Sequence, residues 1–272
     1  ASQKRINEFL IQKSEIESPT IGVKNIDGKI EFKNVFFKYS DANSNSLNNI
    51  NIILNTKKTL GLIGTTGSGK STFLKLLSRI YNPTSGNIYI DNSPIENFNL
   101  NSLRKNIGVV PQDSFLFSDS ILNNLKFGKE NASHEEIEKV CKIAEIHEEI
   151  IKFKEKYNTI LGERGVNLSG GQKQRLCIAR ALILAPKILI FDDCFSALDT
   201  QTEERIINNL RKHTHKSTTI ISSHRISTIQ NLDQIIVLKN GEIIQKGKHN
   251  ELIKTDGYYK ELYEKQLTEK NH

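Results

Sequence analysis

The sequence predicts an α/β fold: a mainly parallel sheet with helices on both faces, an antiparallel β subdomain beside it, and an α-helical subdomain inserted into the core. Three observations support this. In the second half of the chain, strand-length apolar runs alternate with helical segments: Ile188–Phe191, then 203–212, then Thr218–Ser222. That alternation marks a parallel sheet covered by helices. Near the start, strand-like runs follow one another, which implies an antiparallel sheet. Between the two, a glycine-rich stretch at Gly64–Ser71 separates a short apolar run from a helical one.

Each element follows from local pattern. Ile6, Phe9, Leu10 and Lys13 recur at helical spacing, and Pro19 ends the run, so residues 1–28 read as a linker. Strand patterns follow at Ile30-Glu31-Phe32, Val35–Tyr39 and Ile50–Leu54. Leu60–Ile63 is a short buried strand, and Phe73–Leu77 is the apolar face of the next helix. Asn87–Asp91 and Ile107–Val110 read as further strands. Residues 113–167 become helical, with Ile137, Val140, Cys141 and Ala144 on one face. Another helix carries Leu176, Ala179, Arg180 and Ile183. Ile235–Leu238 and Glu242–Ile244 flank the turn Asn240-Gly241 as a last strand pair. The expected organisation is the linker, then one domain over 29–272 interrupted by the helical block at 113–167.

Bulk properties narrow the function classes. No apolar run approaches the ~18 residues that span a bilayer, and the opening ASQKRINEFLIQKSE is too polar for a secretory signal. The chain starts without Met inside a helical pattern, which predicts a piece of a longer polypeptide. The net charge of +7 comes from scattered lysines, with no basic stripe interleaved with aromatics. A solvated surface is therefore expected, not a nucleic-acid footprint. Cys141, Cys177 and Cys194 have no metal-ligand spacing and read as reduced thiols.

Gly64-Thr65-Thr66-Gly67-Ser68-Gly69-Lys70-Ser71 matches the phosphate-loop pattern between a strand and a helix. Its glycines let backbone N–H groups face phosphate oxygens. Lys70 adds charge against the β and γ phosphates, Ser71 supplies a hydroxyl for Mg²⁺, and Thr72 continues into the helix whose positive end faces the anion. Asp192, closing the strand Ile188–Phe191, is placed to bind Mg²⁺ directly or through water. Downstream, Ser169 and Gln172 fit a capping box, and Gly170 and Gly171 leave that helix start bare. A bare, positively polarised helix end is an anion site.

The phosphate loop together with Leu168-Ser169-Gly170-Gly171-Gln172 resembles the ATPases of the ABC family over nearly the whole chain. The resemblance implies a RecA-like P-loop NTPase core, ATP and Mg²⁺ as ligands, and a head-to-tail dimer. In such a dimer Ser169, Gly170 and Gly171 meet the γ-phosphate held by the opposite copy. It also assigns roles. Tyr39 would stack on adenine. Gln112 would touch Mg²⁺ or the attacking water. Ser196-Ala197-Leu198-Asp199 would link the two sites, and His224 would hydrogen-bond the γ-phosphate. Gln112–Phe117, Gly162-Glu163-Arg164-Gly165, Gly247–Leu252 and Lys4–Leu10 resemble the exporter branch. That implies a transmembrane domain on the same polypeptide and a place on the cytoplasmic side of the inner membrane. A soluble ATPase acting on nucleic acid or ribosomes is the alternative, but the long coiled-coil inserts of such proteins are missing here.

One residue departs from the family pattern. Asp193 stands where a Glu polarises the attacking water, and Asp is shorter by one bond of about 1.5 Å. Near-normal ATP·Mg²⁺ binding with weak hydrolysis at the chain's own site is expected. This resembles the degenerate half of a heterodimeric exporter, so a Glu-bearing partner is favoured. A homodimer in which Asp193 serves as a slow base is the alternative.

Overall fold

The structure, a computed structural model, describes residues 16–19, 22, 25–162, 165, 167–213 and 216–270, together with Gln3, Asn7 and Ile11. Ile6, Phe9, Leu10 and Lys13 of the expected linker helix lie outside the described residues, as do Glu163 and Arg164.

β1 (Ile30–Phe37) and β2 (Leu47–Leu54) pair antiparallel. The two early runs of β1 are one strand. Its register slips between Phe32 and Val35, with Asn34 at φ 50°, so a bulge joins what sequence alternation separates. β3 (Thr59–Gly64) leads through the glycine-rich loop into α1 (Lys70–Leu77). β4 (Ser85–Ile90) and the two-residue β5 (Ser93–Pro94) complete a four-stranded antiparallel sheet ordered β2-β1-β4-β5. α2 (Leu100–Lys105), N-capped by Asn99, precedes β6 (Ile107–Val110).

The expected helical block holds α3 (Ile121–Lys126), α4 (His134–Ile143) and the single turn α5 (His147–Ile150), and α6 (Gly170–Leu182) starts within the pentapeptide that follows. β7 (Ile188–Asp192) then pairs parallel with β6, so the whole block is inserted between neighbouring strands. α7 (Thr200–His213), β8 (Thr218–Ser222) and the one-turn α8 (Ile226–Ile229) follow. β9 (Gln234–Lys239) and β10 (Glu242–Gly247) form the last hairpin. Asn240 at φ 50° and Gly241 at φ 79° make its tight turn, as the Asn-Gly pair requires. α9 (His249–Leu252) and α10 (Tyr258–Lys270) end the described chain.

The second sheet runs β10-β9-β3-β8-β7-β6, parallel except at β10. Successive side chains of its strands point to opposite faces. Ile188 and Ile190 join Leu60, Leu62 and Ile220 under the antiparallel sheet, where Phe32 stacks on Phe73 of α1 at 4.2 Å. Leu189 and Phe191 join Ile63, Val110 and Ile221 in a second core beneath α6 and α7. These continuous apolar strands, buried on both faces, are what a sheet sandwiched between layers demands. All three cysteines are buried free thiols. No described helix is long and apolar enough to cross a membrane.

Candidate functional site

The site lies where three adjacent parallel strands end. β3 runs into the phosphate loop, β7 ends at Asp192, and β8 ends at Ser222, with Leu62 and Asp192 both in register with Ser222. Ligands of such sheets sit outside the carboxyl ends of the strands.

Steric need fixes the loop's glycines. At Gly64, φ 158°, a Cβ would lie 2.1 Å from the Leu238 carbonyl oxygen; at Gly69, φ 105°, it would lie 2.7 Å from that of Ser46. Gly69 N-caps α1 with no side-chain bond, so the first amides of that helix open onto the loop. Lys70 Nζ donates to the carbonyls of Gly64 at 2.7 Å and Thr65 at 2.9 Å. An ammonium carries three donors, so one is left for a ligand. Burial pulls Lys70 below its ordinary value, against the opposing pull of Asp193 and Asp192. The Ser68 hydroxyl is buried without a partner among the described residues. A Cβ at Gly67 would meet nothing within 4 Å. Open space, a spare ammonium proton and converging amides fit a polyphosphate.

The acidic side complements this. Ser71 Oγ donates to Asp192 Oδ1 at 3.2 Å. Burial pushes the Asp192 carboxyl above its ordinary range, with Ser71 acting in the other direction. A half-buried carboxylate beside a hydroxyl is a hard-oxygen pair that suits Mg²⁺. Asp193 adopts φ 46° and lines the same cleft as Lys70 and Asp192. Its N–H donates to the Ser222 carbonyl at 3.0 Å, and its Oδ2 lies 3.6 Å from His224 Nε2.

Of the expected residues, Tyr39, Thr66, Gly67, Gly69, Lys70, Ser71, Thr72, Gln112, Asp192, Asp193 and His224 line one cleft of about 330 Å³. Tyr39 Oη also pairs with Thr72 Oγ1 at 3.1 Å. Ser46 and Ser222 line the cleft as well, and no motif marks either. The pentapeptide does not reach this cleft. Ser169 caps α6 through the expected box, accepting from Gln172 N at 3.2 Å while its own N–H donates to Gln172 Oε1 at 2.9 Å. Ser169 and Gly170 are exposed on a face that does not line the cleft.

Two glycines of that face pack on the next loop. Cβ atoms added at Gly170 and Gly171 would meet Ala197 at 3.5 and 3.2 Å. Gln174 of α6 reaches the same loop, accepting from Ala197 N at 3.2 Å and lying 3.5 Å from Ser196 Oγ. Sequence reading missed Gln174, whose place one turn into α6 gives no signal by itself.

Residues 47–196 match the ABC transporter family. The chain belongs to the ABC transporter family. It is the ATP-binding domain that hydrolyses ATP in these transporters. Its 268-residue match to the uncharacterized ABC transporter ATP-binding protein YfiB of Bacillus subtilis is 46% identical. That match covers 98% of this chain and 46% of YfiB. The multidrug resistance-like ATP-binding protein MdlA of Buchnera aphidicola is 46% identical over 98% of this chain and 46% of its own length. A solved bacterial Atm1-family ABC exporter with ATP bound superposes with TM-score 0.92 at 37% identity, over 97% of this chain and 47% of that one. The ABC domain therefore spans about half the length of these relatives.

Proposed function

We propose that this chain is the ATPase domain of an ABC exporter, and that two such domains close head-to-tail around two ATP molecules to drive transport. One observation carries the reading. The cleft gathers the phosphate loop, Asp192, Asp193, Gln112 and His224, while the bare α6 terminus faces elsewhere. That terminus acquires an anion only when a second copy supplies it.

Each residue then has a task. The loop amides and Lys70 hold the phosphates, and Tyr39 packs against the base. Ser71, Asp192 and Gln112 would hold Mg²⁺, which would supply positive charge against the phosphate oxygens. Asp193 accepts a proton from the attacking water, and His224 donates to the γ-phosphate. The short Asp193 carboxylate attenuates this step, which favours a Glu-bearing second domain over a second identical one. The dimer's work is conformational: closing on ATP and reopening after hydrolysis moves a transmembrane domain of the same polypeptide from its cytoplasmic side.

Gly170→Asp tests the head-to-tail arrangement. An added Cβ makes ordinary contact with Ala197 at 3.5 Å, and an Asp in a first turn suits the helix dipole, so the chain should fold. The new carboxylate would oppose a γ-phosphate of the other copy. Hydrolysis should fall at least about tenfold from like-charge repulsion, while ATP binding by the monomer stays within about twofold, because Gly170 does not line the cleft. Undiminished hydrolysis would sink the head-to-tail reading.

A further inference from the structure

The last helix reaches into the catalytic loop at one point. Gln266 of α10 donates from Nε2 to the His224 carbonyl at 2.7 Å, and its Oε1 accepts from the Ile226 N–H at 2.9 Å. One amide thus engages a carbonyl and an N–H two residues apart, as a neighbouring strand would. We propose that Gln266 is a positioning residue for His224: it fixes the backbone from which the imidazole reaches the γ-phosphate. The proposal rests on the ATPase reading of the site.

Three features make this bond matter. First, His224 lies between β8 and α8 without regular structure of its own. The segment is held by Ser223 N–H donating to the Leu62 carbonyl at 3.1 Å and by Arg225, whose N–H donates to Ser223 Oγ at 3.0 Å and whose guanidinium reaches Glu203, while the His224 carbonyl itself is gripped by Gln266. Second, the His224 imidazole is not locked by its neighbour. Its Nε2 lies 3.6 Å from Asp193 Oδ2, beyond ordinary hydrogen-bond length, and its side chain is 46% exposed. The backbone therefore sets where the ring sits. Third, a cavity of about 220 Å³ opens beside Gln266, Ile226 and Tyr263, so the amide bridge borders open space rather than close-packed neighbours. Ile226 also opens a one-turn helix, whose first N–H groups have no intrahelical acceptor, so Gln266 caps it from 40 residues away.

Gln266 does not line the nucleotide cleft. Its loss should slow turnover without weakening ATP binding. A displacement of about 1 Å in a catalytic group can cost up to about a hundredfold in rate, so a loosened loop should cost about tenfold.

The test uses Gln266→Met, which keeps bulk but removes both bonds, and Gln266→Glu, which keeps the acceptor for Ile226 and loses the donor to His224. Turnover of ATP·Mg²⁺ and amide hydrogen exchange are measured on the whole chain. Gln266→Met should lower kcat about tenfold with KM within about twofold, and should speed exchange at Ile226 about tenfold. Gln266→Glu should slow turnover comparably while Ile226 keeps its protection. With His224→Ala in the same chain, Gln266→Met should add no further loss.

Wild-type turnover in Gln266→Met, with protection lost at Ile226, would overturn the proposal. So would a further tenfold loss on top of His224→Ala, because Gln266 would then act through something else. If the chain turns over no ATP even as its Asp193→Glu variant, the ATPase reading fails and the catalytic role fails with it. Unchanged exchange at Ile226 in Gln266→Met would refute the clamp whatever the turnover shows.

Discussion

Asp193→Glu is the substitution with the most to say about this domain. Asp193 sits at φ 46°, its N–H is fixed to the Ser222 carbonyl at 3.0 Å, and its side chain is 15% exposed. The backbone is therefore held, and the only freedom is the length of the side chain. Glu adds one bond of about 1.5 Å. A base misplaced by about 1 Å can lose about a hundredfold in rate. The Glu variant should hydrolyse ATP at least about tenfold faster, with a rate that curves upward with protein concentration as dimers form. The gain has a structural cost. Left-handed backbone costs an L-residue about 1–2 kcal/mol, and Asp escapes part of this through local hydrogen bonds. Glu should forfeit about 1 kcal/mol of that relief and melt about 2–4 °C lower. The assay is steady-state phosphate release with Mg²⁺ over a range of protein concentrations, beside a thermal melt. Equal and substantial rates for the two proteins would refute the reasoning: Asp193 would then reach the water unaided, and a homodimer would need no better base.

Two further outcomes follow from pairs outside the cleft. Glu203 is buried, its side chain 2% exposed, and takes Arg225 Nη1 at 2.6 Å together with the Thr228 hydroxyl. Arg225→Ala should cost about 3 kcal/mol in urea unfolding by stranding that carboxylate; a loss below about 1 kcal/mol would mean that Thr228 alone satisfies it. Burial holds His249, bonded through Nδ1 to Tyr259 Oη at 2.9 Å, below its ordinary value of 6.5. The unfolded chain then binds that proton more tightly than the folded one, so His249's contribution is complete above about pH 6.5 and is lost as pH falls below it. The melting temperature should drop on acidification from about pH 7.5 to 5.5, and His249→Gln should flatten the slope; an unchanged slope would count against the assignment.

Much of the fold was legible because it is written locally. The strand-length apolar runs at Ile188–Phe191 and Thr218–Ser222 became β7 and β8 with little change of boundary. The capping box at Ser169 and the Asn240-Gly241 turn formed as their chemistry requires. Where alternation is broken by one inserted residue, as at Asn34, sequence reading split a strand that tertiary pairing keeps whole. α7 begins at Thr200, three residues before the apolar pattern announces it. Its first turn is held by the Asp199 side chain accepting from Thr202 N at 2.9 Å. At the site, eleven of the residues singled out from the sequence line one cleft, and the pentapeptide does not. Ser46, Ser222 and Gln266 were out of reach because what places them is contact between distant segments, and no short spacing encodes that.

One consequence of the geometry joins the two faces of the domain. The bare α6 end, expected to meet another copy's nucleotide, is bound through Gln174 to the loop at Ser196 and Ala197. That loop follows β7, with Ser196 three residues after Asp193. Its carbonyls at Ser196 and Leu198 each accept from Arg225 at 3.3 Å, next in sequence to His224. Glu203 anchors the same Arg225 from the helix that the loop begins. The residues proposed to serve the chain's own ATP and those proposed to meet an opposite ATP therefore share one hydrogen-bonded frame. Packed frames of this kind move as units more readily than they deform. A dimer that closes on one nucleotide should then reset Asp193 and His224 at the other, so an intact pentapeptide retains a purpose even in a chain whose own base is short.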